Sequence, residues 1–325
     1  MPRLPKISVN IPLISRGNIK PVLDTLQKVD YPKDLIEIVV VEGAHIGKQR
    51  NIAIKHSHGE IVYLLDDDSE VRSDAFKILA KEFKNKKVAA VGGPSLTKKD
   101  GNYLNFLIGC ALETYFGALR MRFRYSEQNQ SKEGSEYHLI GANLALRKKT
   151  VEKVGMFNEK VVPNEETELL RRLKWAGYSL IYKKELSIRR SHRKTVTGLA
   201  KQFHHYGVGR MKQILYNGSF EDLLFIIPSG FALYLISLYF FHPLWYFLPL
   251  VLYLLLAFTT SVKAALKYRK VDLFFILPLV FITTHISYAL GIMHEALNQS
   301  IFKKVEKRQS NRFKVKVLSL NPLER

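Results

Sequence analysis

The 325-residue chain carries 50 Lys and Arg against 29 Asp and Glu, a formal charge of +21, which suits a polyanionic partner: nucleic acid, anionic lipid or a phosphorylated substrate. Its single cysteine, Cys110, excludes an intrachain disulfide framework. The length accommodates one ordinary domain plus an appendage, and the opening stretch "MPRLPKISVNIPL" has no apolar run of signal-peptide length.

From the start to about Arg190, short apolar runs alternate with amphipathic stretches. "ISVNIPL" (Ile7–Leu13) reads as a buried strand; Ile19, Val22, Leu23, Leu26 and Val29 follow at helical spacing, and "YPKD" ends that helix. "LIEIVVV" (Leu35–Val41), rich in β-branched residues, reads as a second strand. A short helix around "KQRNIAIKH" leads to a third strand, "EIVYLL" (Glu60–Leu65), and after a helix reaching Phe83 "KVAAVGG" supplies a fourth. Such alternation predicts an α/β domain of Rossmann type, over residues 1–195, with a mostly parallel sheet covered by helices on both faces. Ligands of such sheets sit beyond the carboxyl ends of the strands.

"VTGLAKQFHHYGVGRMKQIL" then reads as a basic amphipathic helix lying in the lipid headgroup layer, within residues 196–220. "YLNFLIGCALETYFGALRMRFRY" (Tyr103–Tyr125), ending in Arg120, Arg122 and Arg124, fits either the same role or a core helix. Within residues 221–295 come three uncharged or nearly uncharged runs, Leu223–Phe241, Leu244–Val262 and Leu273–Met293, each close to the ~20 residues a bilayer core requires. The chain is therefore read as a multi-pass membrane protein. Lys263, Lys267, Arg269 and Lys270 favour the cytoplasm for the loop before the third run, and with it the N-terminal domain. A third full span would put the tail, residues 296–325, on the opposite side. Yet that tail holds Lys303, Lys304, Lys307, Arg308, Arg312, Lys314 and Lys316, so charge and span count conflict and both two and three spans stay open.

Three carboxylates, Asp66, Asp67 and Asp68, end the third strand. Like charges this close repel, so the run is either solvated or faced by something cationic. Asp-x-Asp at a strand end suits a hard divalent cation that bridges to phosphate oxygens; the alternative is a solvated turn capping the next helix. A second acidic pair, Glu165 and Glu166, opens a helix whose apolar positions are Leu169, Leu170, Leu173 and Ala176. Acidic residues there complement the helix dipole, or one of them serves as a general base.

The ordered segments "YPKDLIEIVVVEG", "KQRNIAIKHSHGEIVYLLDDDSEV", "GANLALRKKTVEKVGMFNE" and "NEETELLRRLKWAGY" together resemble a membrane-anchored family 2 glycosyltransferase of the GT-A fold, of the succinoglycan-synthesis type, over about Ile7 to Arg210. The resemblance implies that Asp68 is a ligand of Mg²⁺ or Mn²⁺, with Asp66 beside that ion or the donor's ribose and Asp67 next to them. It puts the catalytic base at Glu166, beside Glu165, and implies an acceptor side formed by Gly141 and Asn143, with His192, Gln202 and Arg210 as further counterparts. Only "GAHIG" separates Glu42 from Lys48-Gln49-Arg50-Asn51, a departure from the family's longer connection. Glu42 stands where an aspartate normally meets the nucleobase. Lys48 and Arg50 would neutralise the donor's pyrophosphate, with Asn51 in the same element; the alternative for the two cations is a solvated helix face.

These implications describe an inverting transfer of a sugar from a nucleotide-sugar to a hydroxyl of a lipid-linked saccharide or growing polysaccharide. A polyprenyl phosphate would need no base, so the acidic pair favours a hydroxyl acceptor over a polyprenyl-phosphate sugar synthase. A transporter or a purely lipid-binding membrane protein is the rival class; the three runs hold one ionisable group, His285, and give a poor substrate path. No helix-turn-helix, zinc or aromatic RNA-binding signature supports nucleic acid as the partner.

Overall fold

The structure is a computed structural model that describes residues 3–14, 17–98, 101–128, 133–301 and 313–320. The chain divides into two compact units, one of Met1–Leu96, Phe123–Arg190 and Arg308–Arg325, the other of Thr97–Arg122 and Ser191–Lys307.

In chain order the elements begin with β1 (Ile7–Leu13), α1 (Lys20–Leu26), β2 (Ile36–Glu42), α2 (Ile46–His56), β3 (Ile61–Leu65) and α3 (Ala75–Glu82). β4 (Val88–Gly92) and β5 (Ser95–Thr97) follow, then α4 (Tyr103–Leu112) and α5 (Tyr115–Ala118). The chain continues through β6 (Asn143–Arg147), α6 (Lys148–Lys153), α7 (Glu165–Trp175), β7 (Ser179–Tyr182) and β8 (Ile188–Arg190). α8 (Val196–Asn217), α9 (Ile227–Ser237), α10 (Leu248–Tyr268), α11 (Asp272–Ile301) and β9 (Lys314–Ser319) complete it.

The first unit is built on a seven-stranded mixed sheet of order β7-β4-β6-β3-β1-β2-β9. β1 runs parallel to both β2 and β3, as strand–helix alternation demands, and β4 runs parallel to β7. β6 enters antiparallel between β3 and β4, and β9 closes the sheet antiparallel to β2. Both faces are covered. Ile61, Tyr63 and Leu65 of β3 join α1 and α3 side chains such as Leu26 and Phe76, while Val62 and Leu64 join Leu169, Leu170 and Leu173 of α7 on the other face. The period of two along β3 sends alternate residues into each layer, which is why the strand reads as continuously apolar.

In the second unit the expected amphipathic helix forms as α8, its first turn capped by Thr195, whose Oγ1 accepts from the Gly198 N–H at 3.1 Å. Three helical stretches, Phe220–Ser237, Leu244–Tyr268 and Asp272–Gln299, are long and apolar enough to cross a membrane. The stretch expected as one helix from Tyr103 to Tyr125 divides into α4, α5 and a 3₁₀ helix over Leu119–Arg124. Arg124 does not join a headgroup-facing set; it lies buried in the first unit. The tail is not merely a basic extension. Lys314 and Lys316 sit in β9, whereas Lys303, Lys304, Lys307, Arg308 and Arg312 lie outside the described residues.

Candidate active site

At the carboxyl end of β3, the Asp66 N–H donates to Ser69 Oγ at 3.1 Å and the Ser69 N–H returns to the Asp66 carbonyl at 3.2 Å. The strand therefore stops in a tight turn tied to a fully buried serine, and the turn, rather than strand alternation, sets where the three carboxylates go. Opposite them runs β8, held by reciprocal backbone bonds between Glu70 and Arg189 at 3.0 and 3.3 Å. That register delivers Arg190, whose Nη2 lies 2.7 Å from Asp66 Oδ2 and whose Nε lies 3.7 Å from Asp68 Oδ1. Asp67 has its carboxyl raised by burial and by the neighbouring Asp68 and Asp66 charges, with its own backbone hydrogen bond and Arg190 pulling it back.

Arg190 was not singled out by its sequence context, the basic run "RRSHRK", where nothing but charge marks it. It supplies a cationic neighbour to the aspartate run. Among the described residues no group of three or more His, Cys, Asp or Glu is arranged to hold a metal. Two carboxylates facing one cation still fit a divalent ion of the Mg²⁺ or Mn²⁺ type, because such ions are held by one or two carboxylates and completed by substrate phosphate oxygens.

The second acidic cluster lies at the start of α7. A cis Val162–Pro163 bond and a left-handed Asn164, φ 94°, turn the chain sharply into a first helical turn carrying Glu165, Glu166 and Glu168. Glu165 Oε1 accepts from Arg50 Nη1 at 2.5 Å, and the same nitrogen lies 4.0 Å from Glu166 Oε2. Glu166 Oε1 accepts from Arg124 Nη1 at 3.2 Å. Arg124 is itself fixed by donation to the Tyr137 and Glu136 carbonyls, both at 2.9 Å, and to Thr167 Oγ1 at 3.0 Å. Two guanidinium groups and two carboxylates thus form a buried, charge-balanced quartet, the arrangement that makes burial of four ionic groups tolerable. Burial pushes Glu165 up to about 7; Arg50 acts downward, and Glu166 and Asp66 act upward. The Asp66 turn is therefore within electrostatic reach of the quartet. Glu165 Oε2 and Arg50 Nε are buried without a hydrogen-bond partner, as expected of groups that meet a polar ligand or water.

The remaining candidates divide by what their side chains already do. Gly141 makes room for Arg50: a Cβ there would come 2.5 Å from Nη2 and 3.0 Å from Cζ of that guanidinium. Asn51 clamps a loop, donating to the Phe157 carbonyl at 2.9 Å and to Glu159 at 3.0 Å while accepting from the Phe157 N–H at 2.9 Å. Asn143 accepts from the Tyr63 hydroxyl at 2.7 Å and donates to the Leu186 carbonyl at 2.6 Å. Lys48 is half-buried in the first turn of α2, and Glu42 is half-buried at the end of β2, in register with Leu13 of β1. Arg50 is buried against Glu165, so it does not form the solvated helix face that was its alternative reading.

The other three lie in the second unit. His192 has Nε2 3.0 Å from Thr97 Oγ1, and its N–H donates to Asn105 Oδ1 at 2.5 Å. Gln202 donates to the Tyr206 hydroxyl at 2.7 Å. Arg210 is buried, bonded to Gln213, 3.5 Å from Asp222 and stacked over the Phe225 ring at 4.2 Å.

A family model described as glycosyl transferase family group 2 matches residues 61–293. The O-antigen chain rhamnosyltransferase RfbN of Salmonella typhimurium is 26% identical over 238 residues, which cover 62% of this chain and 72% of that protein. Glycosyltransferase AglE of Haloferax volcanii is 26% identical over 214 residues, 55% of this chain and 64% of its own length. Among solved structures, the mannosyltransferase PcManGT of Pyrobaculum calidifontis, in complex with GDP-Man and Mn²⁺, matches with a TM-score of 0.55 at 18% identity, over 93% of this chain and 89% of that one. That likeness shows the GT-A fold.

Two outcomes are expected from the quartet. Gly141→Ala forces Arg50 off Glu165 and should destabilise the protein by ~1–3 kcal/mol, read as a lowered denaturation midpoint. Because the folded-state value of Glu165 lies above its ordinary one, the folded protein binds more protons than the unfolded chain between the two. Stability should therefore fall as pH rises from the ordinary carboxylate range to about 7, and Glu165→Gln should flatten that slope in a denaturant titration run across pH.

Proposed function

The chain belongs to glycosyl transferase family group 2, and on that premise we propose that it moves a sugar, with inversion, from a nucleotide-diphosphate sugar to a hydroxyl of a lipid-linked saccharide or growing polysaccharide. The reading rests on one observation above all: two carboxylates, Glu165 and Glu166, buried between Arg50 and Arg124 in the unit that also holds the Asp66–Asp68 turn. The neighbours' names support it, since RfbN is a rhamnosyltransferase and PcManGT a mannosyltransferase seen with a nucleotide-sugar and Mn²⁺.

Each residue then has a task. Arg124 holds Glu166 through Oε1 and leaves Oε2 to take the proton of the attacking hydroxyl. The acceptor oxygen forms its bond to the anomeric carbon from the face opposite the diphosphate, and the bond to the diphosphate breaks with its electron pair going to the leaving group. Lys48 and Arg190 meet the growing negative charge, Arg190 exchanging its carboxylate partners for phosphate oxygens, and Glu42 lies on the side of the nucleobase. Asp66 and Asp68 are the residues that would hold a divalent ion, with Asp67 behind them; such an ion supplies Lewis-acid stabilisation of the diphosphate when bound. The catalytic unit faces the cytoplasm, α8 lies in the headgroup layer, and the apolar helices keep the enzyme beside a lipid-borne acceptor in the cell membrane.

The test is transfer by the purified full-length protein, given a panel of nucleotide-sugars and Mn²⁺, with Glu166→Gln as the variant. Transfer should fall ~10²–10⁴-fold while binding of the preferred donor persists. Unchanged turnover in Glu166→Gln would remove the base and favour a phosphate acceptor, as in a polyprenyl-phosphate sugar synthase.

A further inference from the structure

We infer that α11, the longest and most apolar of the three candidate spans, does not cross the bilayer, and that the 18-residue stretch Phe220–Ser237, which ends in α9, and α10 form a two-pass hairpin. The inference builds on the membrane reading of the chain but not on the chemistry proposed for it.

The observation that carries it is β9. Six residues, Lys314–Ser319, pair antiparallel with Glu37–Glu42 of β2, so this stretch occupies the same aqueous compartment as the sheet. The chain between the sheet and β9 must then cross the bilayer an even number of times. Three crossings would strand Lys314–Ser319 on the far side, away from its partner strand.

The turn between α10 and α11 shows which helix drops out. Lys267 Nζ lies 2.9 and 2.8 Å from the two oxygens of Glu113, the Tyr268 hydroxyl donates to the same carboxylate at 2.8 Å, and Lys270 sits over Tyr103 at 5.3 Å and Phe106 at 5.5 Å. These three acceptors belong to α4 and its C-cap. A ten-residue helix is about 15 Å long, half of a ~30 Å hydrocarbon core, so α4 cannot carry Glu113 to the far face. The α10–α11 turn is therefore on the near side. α11 begins there, and its continuation into β9 ends there.

The side chains of α11 agree. Phe275, Leu279, Ile282, Leu290 and Leu297 form one exposed apolar stripe along its length, opposite a buried face of Leu273, Leu277, Phe281, Ala289 and Ile292 that also takes in Glu295. One apolar stripe over a packed face suits a helix lying in the near leaflet. α8 packs antiparallel along its C-terminal half, with Gly207 and Gly291 in backbone contact with the opposite helix. α10 exposes a broader apolar face, carrying Val251, Leu252, Leu255, Leu256, Phe258 and Val262, and its 21 residues reach about 30 Å. No Asp, Glu, Lys or Arg occurs from Leu223 to Val262, and the α9–α10 turn bears exposed Tyr239, Phe240 and Trp245, the aromatic anchoring of a far interface. Two crossings also bring Lys263–Lys270 and the basic tail to one side, which ends the conflict between charge and span count.

Sidedness can be read by thiol labelling of the full chain in sealed membrane vesicles of both orientations. In a Cys110→Ala background, Lys84→Cys in the sheet unit, Lys270→Cys, Lys316→Cys and His242→Cys are each treated with an impermeant maleimide. Lys84→Cys, Lys270→Cys and Lys316→Cys should label in one vesicle orientation and His242→Cys in the other. Labelling of Lys316→Cys or Lys270→Cys together with His242→Cys would overturn the inference, and labelling of all four in one orientation would remove the hairpin. None of these readings depends on sugar transfer.

Discussion

The guanidinium of Arg190 against Asp66 and Asp68 is the contact on which the rest of the site depends. Three adjacent carboxylates at a strand end repel one another, and the register of the Glu70–Arg189 backbone pairing brings a positive charge to face two of them. A guanidinium serves carboxylate and phosphate with the same planar fork, so the group that keeps the turn together without a substrate is also suited to the substrate's diphosphate. The quartet at α7 repeats the principle at greater depth. There the charges are almost wholly buried, and removing one partner of such a pair costs about 3–5 kcal/mol because the other is left uncompensated. Two arginines therefore fix both glutamates in place.

Much of this was legible in the residues. β1, β2 and β3 announce themselves by apolar, β-branched runs, and α1 and α7 by their apolar spacing, because each buries one face or both against the same sheet. The aspartate turn and the acidic helix start were visible for the same reason: charges at the edges of apolar runs stand out. What stayed hidden is long-range pairing. β6 lies antiparallel between β3 and β4 across a gap of tens of residues, and no local pattern dictates that order. Arg124 and Arg190 sit in basic runs where neighbouring arginines look alike, and only their partners, Glu166 and Asp66, distinguish them. Only the resemblance singles out Asn51 and Asn143; their amides bond to backbone, to Glu159 and to the Tyr63 hydroxyl, partners that no local pattern reveals.

The membrane part teaches a related lesson. Hydropathy counts three spans because it measures length and composition, and α11 passes on both. It does not register where the chain goes next. Six residues of the tail, which read only as basic, return to the edge of the sheet as β9, and a strand ladder constrains topology more tightly than hydropathy does.

The central claim is that the Asp66–Asp68 turn receives a divalent cation together with a nucleoside diphosphate. Electron paramagnetic resonance of Mn²⁺, titrated into the full-length protein with and without a nucleoside diphosphate, tests it most directly. The account predicts that bound Mn²⁺ rises when the diphosphate is present and that this increment vanishes in Asp68→Ala. An increment of equal size in Asp68→Ala would contradict it.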